Sequence, residues 1–179
     1  MTKPDDTDLI NRCMQGDRNA FEGLLVKYEK PVFNAAFRML NNSEDAKDVT
    51  QTVFLRAYEN LDHFDPHFRF FSWIYRIALN ETINCLNKRN RTEELAREPI
   101  AETEGPDDAA NSDQRSKRIQ TALMTIKTEY RTVIVLKHFL DCNYIEISEI
   151  LEIPEKKVKS RLYSGRQMLK IALQDSQLD

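Results

Sequence analysis

The chain has 179 residues, 26 Lys+Arg against 29 Asp+Glu, a net charge of −3 and 41% hydrophobic residues, which allows one domain or two small ones. Only 4 Gly and 6 Pro occur, too few for an all-β sandwich or barrel that turns every few residues, so an all-α fold class is expected. No apolar stretch approaches the roughly 18 residues of a membrane span, and the acidic residues 1–8 lack the basic and apolar parts of a secretion signal, so no membrane insertion is expected.

Asp8 can cap a short first helix that ends at Gly16, a C′ glycine, and Asp17 can cap the next. Phe21, Leu24, Leu25, Tyr28, Val32, Phe33, Ala36, Phe37 and Leu40 then recur at helical spacing. Pro31 interrupts that pattern and predicts a new segment or a kink. Asn41, Asn42 and Ser43 form a break, with Ser43 as the cap of the following helix. Glu44 and Asp45 sit in its first turn, where the helix dipole favours anions. Its apolar face is Ala46, Val49, Val53, Phe54, Ala57 and Leu61. The opposite face carries Asp45, Asp48, Gln51, Arg56 and Glu59, and plain solvation is the default account of such a face.

Asp65-Pro66-His67 marks a loop, and a third long helix is expected over about 70–91. Phe70, Phe71, Trp73, Ile74, Ile77, Ala78 and Leu86 supply its apolar side. Arg76, Asn80, Asn84, Asn87, Lys88 and Arg91 recur every three or four residues as one polar stripe, with Glu81 off to the side. Amides and cations can bond base edges and phosphates. His67, Phe68 and Arg69 upstream form a basic-aromatic mix suited to unstacked single-stranded bases. An ordinary polar helix face accounts for this stripe equally well. Trp73, between Phe71 and Ile74, reads as a core residue rather than a wedge in melted DNA.

Charge is uneven along the chain. Residues 1–91 hold 13 basic and 13 acidic residues, 92–114 hold one against eight, and 115–179 hold 12 against 8. The acidic middle, with Pro99, Gly105 and Pro106, reads as a flexible linker. A basic C-terminal end hints at a nucleic-acid partner. The expected organisation is a helical domain over 1–91, an acidic linker over 92–117 and a second helical domain over 118–179.

In that last domain Ile119, Leu123 and Ile126 begin a helical pattern, and Tyr130, Val133, Ile134, Leu136 and Leu140 continue it past Lys127. Asp141, Cys142 and Asn143 end it. Asn143 with Glu146 is an N-terminal capping pair. A helix over 144–151 should bury Ile147, Ile150 and Leu151, with small Ser148 where a second helix approaches. Glu152-Ile153-Pro154 is a short turn. The next helix buries Val158, Leu162, Gly165 and Leu169 and carries Lys156, Lys157, Lys159, Arg161, Arg166 and Lys170. This is helix–turn–helix spacing. Its outward face, Lys156, Lys159, Ser160, Tyr163 and Gln167, and its flank, Lys157, Arg161 and Ser164, are free to meet a DNA groove. The competing account is a cationic helix docked on an acidic partner or membrane.

The remaining chemistry is sparse. Cys13, Cys85 and Cys142 are odd in number and form no CxxC pair, so they read as reduced thiols of a cytoplasmic protein. His63 and His67 flank Asp65 but lack further ligands for a metal. No nucleophile–base arrangement or phosphate loop appears. No catalytic residue, metal or cofactor is therefore expected, and the chain is not expected to be an enzyme.

The segments DAKDVTQTVFLRAY at 45–58 and FSWIYRIALN at 71–80 resemble region 2 of the extracytoplasmic-function (ECF) RNA polymerase sigma factors, group 4 of the sigma-70 family. The segment YIEISEILEIPEKKVKSRLYSGR at 144–166 resembles their region 4. That resemblance implies a subunit that binds bacterial core RNA polymerase, brings it to promoter DNA, and is held by an anti-sigma factor. It implies core-polymerase contacts at Asp48, Gln51, Thr52, Phe54, Leu55, Arg56 and Tyr58. It implies −10 contacts at His67, Phe68, Arg69, Arg76, Asn80, Asn84 and Lys88, within a loop over 63–69 and the helix after it. It implies −35 contacts at Lys156, Lys157, Lys159, Ser160, Arg161 and Ser164. Four sites depart from the family's pattern: Thr52 for an acid, Asp65-Pro66-His67 for a basic-glycine loop, Glu152 for the turn glycine, and Ser164 for a basic residue. If Glu152 has positive φ, it costs about 1 kcal/mol. Two other classes compete: a stand-alone helix–turn–helix regulator with an N-terminal sensing or dimerisation domain, and a protein-binding helical adaptor.

Overall fold

The computed structural model describes residues 6–96 and 110–175. These form eight helices: α1 (Asp6–Met14), α2 (Arg18–Leu40), α3 (Ser43–Glu59), α4 (Phe70–Ala96), α5 (Ala110–Met124), α6 (Thr128–His138), α7 (Tyr144–Leu151) and α8 (Glu155–Asp175). A single 3-10 turn, Leu61–His63, follows α3, and no strand occurs among the described residues. Pro99, Gly105 and Pro106 of the expected linker lie outside the described residues.

Local chemistry accounts for most helix ends. Asp17 caps α2 by accepting from the Asn19 N–H at 3.0 Å. Gly16 has φ +92°, the left-handed turn that separates α1 from α2. The first helix starts at Asp6, so Asp8 lies within its first turn rather than at its cap. The cap of α3 is Asn42, whose side chain accepts from the Asp45 N–H at 3.0 Å, and not Ser43. Asn41 ends α2 at φ 51°, a conformation that asparagine tolerates. That turn leaves Asn42 extended and ready to cap.

Tertiary packing decides two places. Of the two outcomes expected at Pro31, a new segment or a kink, the new segment does not occur, since one helix runs from Arg18 to Leu40. A proline inside a helix costs about 3 kcal/mol. Tyr28, Val32, Ala35 and Ala36 on either side of it are buried, and each large side chain so buried contributes about 1.5–3 kcal/mol. The long C-terminal pattern is in fact two helices, α5 and α6, broken at Thr125–Lys127. Arg131 holds that break: its guanidinium donates to the carbonyls of Met124 and Ile126, both at 3.0 Å.

The core of residues 6–96 centres on Leu24, Val32, Met39, Val53, Ile74 and Tyr75. That of residues 110–175 centres on Leu123, Ile134, Leu136, Ile147, Val158 and Leu162. The two cores meet at the C-terminal end of α2. The last carbonyls of a helix lack intrahelical partners. Here Gln120 donates to Phe37 O and Arg38 O at 3.3 and 3.4 Å, Arg131 to Met39 O at 2.6 Å, and Arg89 to Leu40 O at 3.4 Å. Arg38 reaches back to Gln120 and Ser116 at 3.1 and 3.2 Å and lies over the Phe139 ring. Cys142 is buried in the C-terminal core, and burial pushes its thiol up to about 12.

Gly165 lies at a close approach of α8 to α6. A Cβ at Gly165 would meet Ile134 Cδ1 at 3.0 Å and Tyr130 Cβ at 3.3 Å. Gly165→Val should destabilise the protein by about 1–3 kcal/mol, the usual penalty of overpacking. Urea unfolding checks this, and an unchanged midpoint would contradict the packing account.

Candidate nucleic-acid interface

The α7–α8 unit has the expected bend. The Asn143 side chain accepts from the Glu146 N–H at 2.9 Å, and the Glu146 carboxylate accepts from the Asn143 N–H at 2.8 Å, a complete capping box. Glu152 ends α7 at φ 53°, so a side chain occupies a left-handed position usually given to glycine. Ser148 donates to Ile153 O at 2.6 Å and clamps the turn. Its hydroxyl matters there, as well as its small size.

Beyond the turn, Val158 and Leu162 face the core while Lys156, Lys157, Lys159 and Ser160 are exposed. Lys156 and Lys157 make no ion pair among the described residues, so their charges are available to a polyanion. Lys159 lies 3.4 Å from Glu155 and over the Tyr144 ring. Tyr163 is 68% exposed on the same outward face. Arg161 differs: its guanidinium donates to Glu129 at 2.9 Å and is 22% exposed. Ser164 is half-buried. The cationic rod is therefore turned outward, with Arg161 braced at its flank.

On α4, Asn80, Asn84 and Lys88 are exposed in one row. Asp65 organises the loop before it, accepting from the His67 N–H at 2.9 Å and pairing with the His67 ring at 2.7 Å. These bonds, the backbone one first, hold the Asp65 carboxyl below its ordinary range. Phe68 stands 52% exposed at the loop's edge. Trp73 packs edge-on against Phe64 with centroids 5.3 Å apart, so its core role holds. Its outer side joins His63, Arg56, Asn80 and Asn84 around an open hollow of about 580 Å³. The hollow offers an aromatic wall and amide donors, the means by which a protein receives an unstacked base.

Arg69 and Arg76 do not stand free with that row. Arg69 pairs with Glu146, Ser72 donates to Glu149 at 2.9 Å, and Arg76 donates to Glu149 O at 2.6 Å and pairs with Glu152 at 2.9 Å. The sequence carries no local signal for these partners, which lie more than 70 residues away.

The outer face of α3 shows Asp48, Gln51, Leu55, Arg56 and Tyr58 exposed and Thr52 half-buried. Leu55 is 58% exposed, an apolar group among charges of the kind protein interfaces use. Phe54 departs from the implied polymerase contacts: it is 5% exposed and turned inward near Phe21, on the apolar face that its spacing predicts. It shares a helix with the exposed group, but the 100° step between neighbours sends it to the core. Arg56 pairs with Glu81 of α4 at 2.7 Å, so Glu81 buttresses this face.

His63 pairs with Asp62, and no group of three or more His, Cys, Asp or Glu able to hold a metal occurs among the described residues. No described helix is long and apolar enough to cross a membrane.

The chain is similar to known proteins over most of its length. Residues 24–92 match the family described as sigma-70 region 2, and residues 116–169 match sigma-70, region 4. The ECF RNA polymerase sigma factor SigW of Bacillus subtilis is 38% identical over 179 residues, covering 93% of this chain and 95% of that protein. Among solved structures, CnrH in complex with the cytosolic domain of CnrY is similar with a TM-score of 0.74 and 26% identity, covering 95% of this chain and 97% of that one. The sigma factor RpoE in complex with the anti-sigma factor NepR from Bartonella quintana shares the fold, with a TM-score of 0.75 and 20% identity over 86% of this chain and 96% of that one.

Proposed function

The chain belongs to the sigma-70 family of RNA polymerase sigma factors, in its ECF branch, and from that premise we propose that it is a promoter-specificity subunit of bacterial RNA polymerase. It binds the core enzyme, directs it to its own start sites and is restrained by an anti-sigma factor. The observation that carries this reading is the exposed cationic start of α8 beyond a capped turn, on the same chain as the amide row of α4.

We divide the labour as follows. Residues 1–91 dock on polymerase through Asp48, Gln51, Thr52, Leu55, Arg56 and Tyr58. They read and open the −10 element through His67, Phe68, Arg69, Arg76, Asn80, Asn84 and Lys88. Residues 118–179 read the −35 element as duplex through Lys156, Lys157, Lys159, Ser160, Arg161 and Ser164. Residues 92–117 tether the two. A rigid helix suits a duplex groove, and a polar hollow suits a flipped base, whose unstacking costs a few kcal/mol. Tethering raises the effective concentration of each half for its own site, so each can bind weakly alone. The chain works in the cytoplasm and supplies recognition, while the chemistry of RNA synthesis stays with the polymerase.

A gel shift with and without core polymerase tests this. Promoter binding that requires the polymerase supports it. Tight, specific duplex binding by the pure protein, indifferent to polymerase, would favour the stand-alone regulator. Asp48→Lys should weaken competition for core enzyme about tenfold, as reversal of an interfacial charge does, with an unchanged circular dichroism spectrum. Unaltered competition would remove α3 from the docking surface.

A further inference from the structure

We infer that the free chain masks its own −10-reading surface, using the acidic face of α7 in place of DNA. The inference rests on the proposed role of Arg69 and Arg76. Glu146, Glu149 and Glu152 lie three residues apart on the first helix of the helix–turn–helix. They run alongside the start of α4 and meet Arg69, Ser72 and Arg76 in matching order: Arg69 with Glu146, Ser72 with Glu149, Arg76 with Glu149 O and Glu152. Three carboxylates in a row present anions to the same donors that a phosphate backbone would engage.

The contact is specific rather than a loose attraction between charges. Ser72 is buried and Arg76 is half-buried under α7, so neither can reach a nucleic-acid strand while α7 is seated. Asn80, Asn84 and Lys88 stay open on the same helix, so the mask covers Ser72 and part of Arg76, pairs the exposed Arg69 at its edge and leaves the far end of the row open. Its seat is set by the junction at the end of α2, where Arg131 and Gln120 take the carbonyls of Phe37, Arg38 and Met39. Glu146 serves twice, capping its own helix with one carboxylate oxygen and holding Arg69 with the other. The helix that positions the −35 reader is thus the one that hides the −10 reader. A duplex-binding state that needs the two modules apart therefore removes the mask in the same movement.

A binding-competent state that is only fractionally populated weakens apparent affinity by that fraction. The test compares the full-length protein with the triple variant Glu146→Gln/Glu149→Gln/Glu152→Gln. Glutamine at 146 keeps an acceptor for the capping box. A control variant, Glu22→Gln/Glu29→Gln/Glu59→Gln, has the same net charge at exposed positions elsewhere. The readout is anisotropy of a fluorescein-labelled single strand of about 20 nucleotides of mixed sequence, at low salt and without polymerase. The mask predicts about tenfold tighter binding for the triple variant than for the control, a gain lost when Arg76→Ala is added. Equal binding by the triple and control variants, while Arg76→Ala still lowers transcription by the holoenzyme, would overturn the mask and leave the −10 assignment standing. Arg76→Ala without effect on strand binding or on transcription would overturn the assignment and the mask with it.

Discussion

Arg131→Met should destabilise the protein by about 2–4 kcal/mol, the range seen when a buried hydrogen-bonded charge network is broken. Arg131 is buried, burial lowers its pKa, and it has no acidic partner among the described residues. Its donors instead serve three carbonyls, Met39 O on α2 and Met124 O and Ile126 O at the α5–α6 break. Methionine fills much of the volume, but leaves three buried acceptors without partners. Removing a buried charge offsets part of that loss, so the expected cost stays below the sum of three orphaned carbonyls. Urea unfolding followed by circular dichroism measures it. A change within about 0.5 kcal/mol, the scatter of an ordinary surface substitution, would show that water or a shifted turn satisfies those carbonyls.

Lys157→Glu should lower transcription from the protein's own promoters between about fivefold and a hundredfold, since a contact in the groove contributes about 1–3 kcal/mol and 1.4 kcal/mol is tenfold. Lys157 is exposed on the flank of α8 and has no ion pair among the described residues, so its loss leaves no orphan within the fold. Arg161→Ala should act through the −35 element too, but there the Glu129 brace is also lost. Comparing matched promoters that differ only at −35 separates the two effects. If Lys157→Glu lowers activity equally with a scrambled −35 element, this lysine senses charge and carries no sequence preference. If activity is unchanged on every template, α8 does not enter the groove by this flank.

The parts of the molecule legible from the chain alone rest on neighbours within one or two turns. Asn143 and Glu146 are three residues apart, so their reciprocal cap follows from side-chain reach alone. Glu152 stands where a left-handed residue must sit, and φ 53° agrees. The outward cations of α8 follow from the spacing of Val158 and Leu162. Periodicity alone does not decide where it has a rival. The apolar repeat runs unbroken from Ile119 to Leu140, yet the chain turns at Thr125–Lys127, where Arg131, tied to Met39 O of α2, also collects the free carbonyls of Met124 and Ile126. Pro31 allowed a new segment or a kink, and packing on both sides of it kept one helix despite a missing hydrogen bond. Phe54 follows its helical phase into the core, as its spacing predicts, although the motif around it implies a surface contact.

From residue order came most of the helices, the caps at Asp17 and Asn143, the outward cationic face and the family to which they belong, because each depends on contacts within a few residues or on side-chain type alone. Folding in three dimensions decided which cations stay available and which are spoken for. Arg131 became an internal clamp, Arg56 acquired Glu81, and Arg69 and Arg76 acquired the glutamates of α7. A guanidinium on a helix can face solvent, a carbonyl or a carboxylate with the same local sequence around it. The choice falls to whatever the packed chain brings within 3 Å, and that partner can lie anywhere along its length.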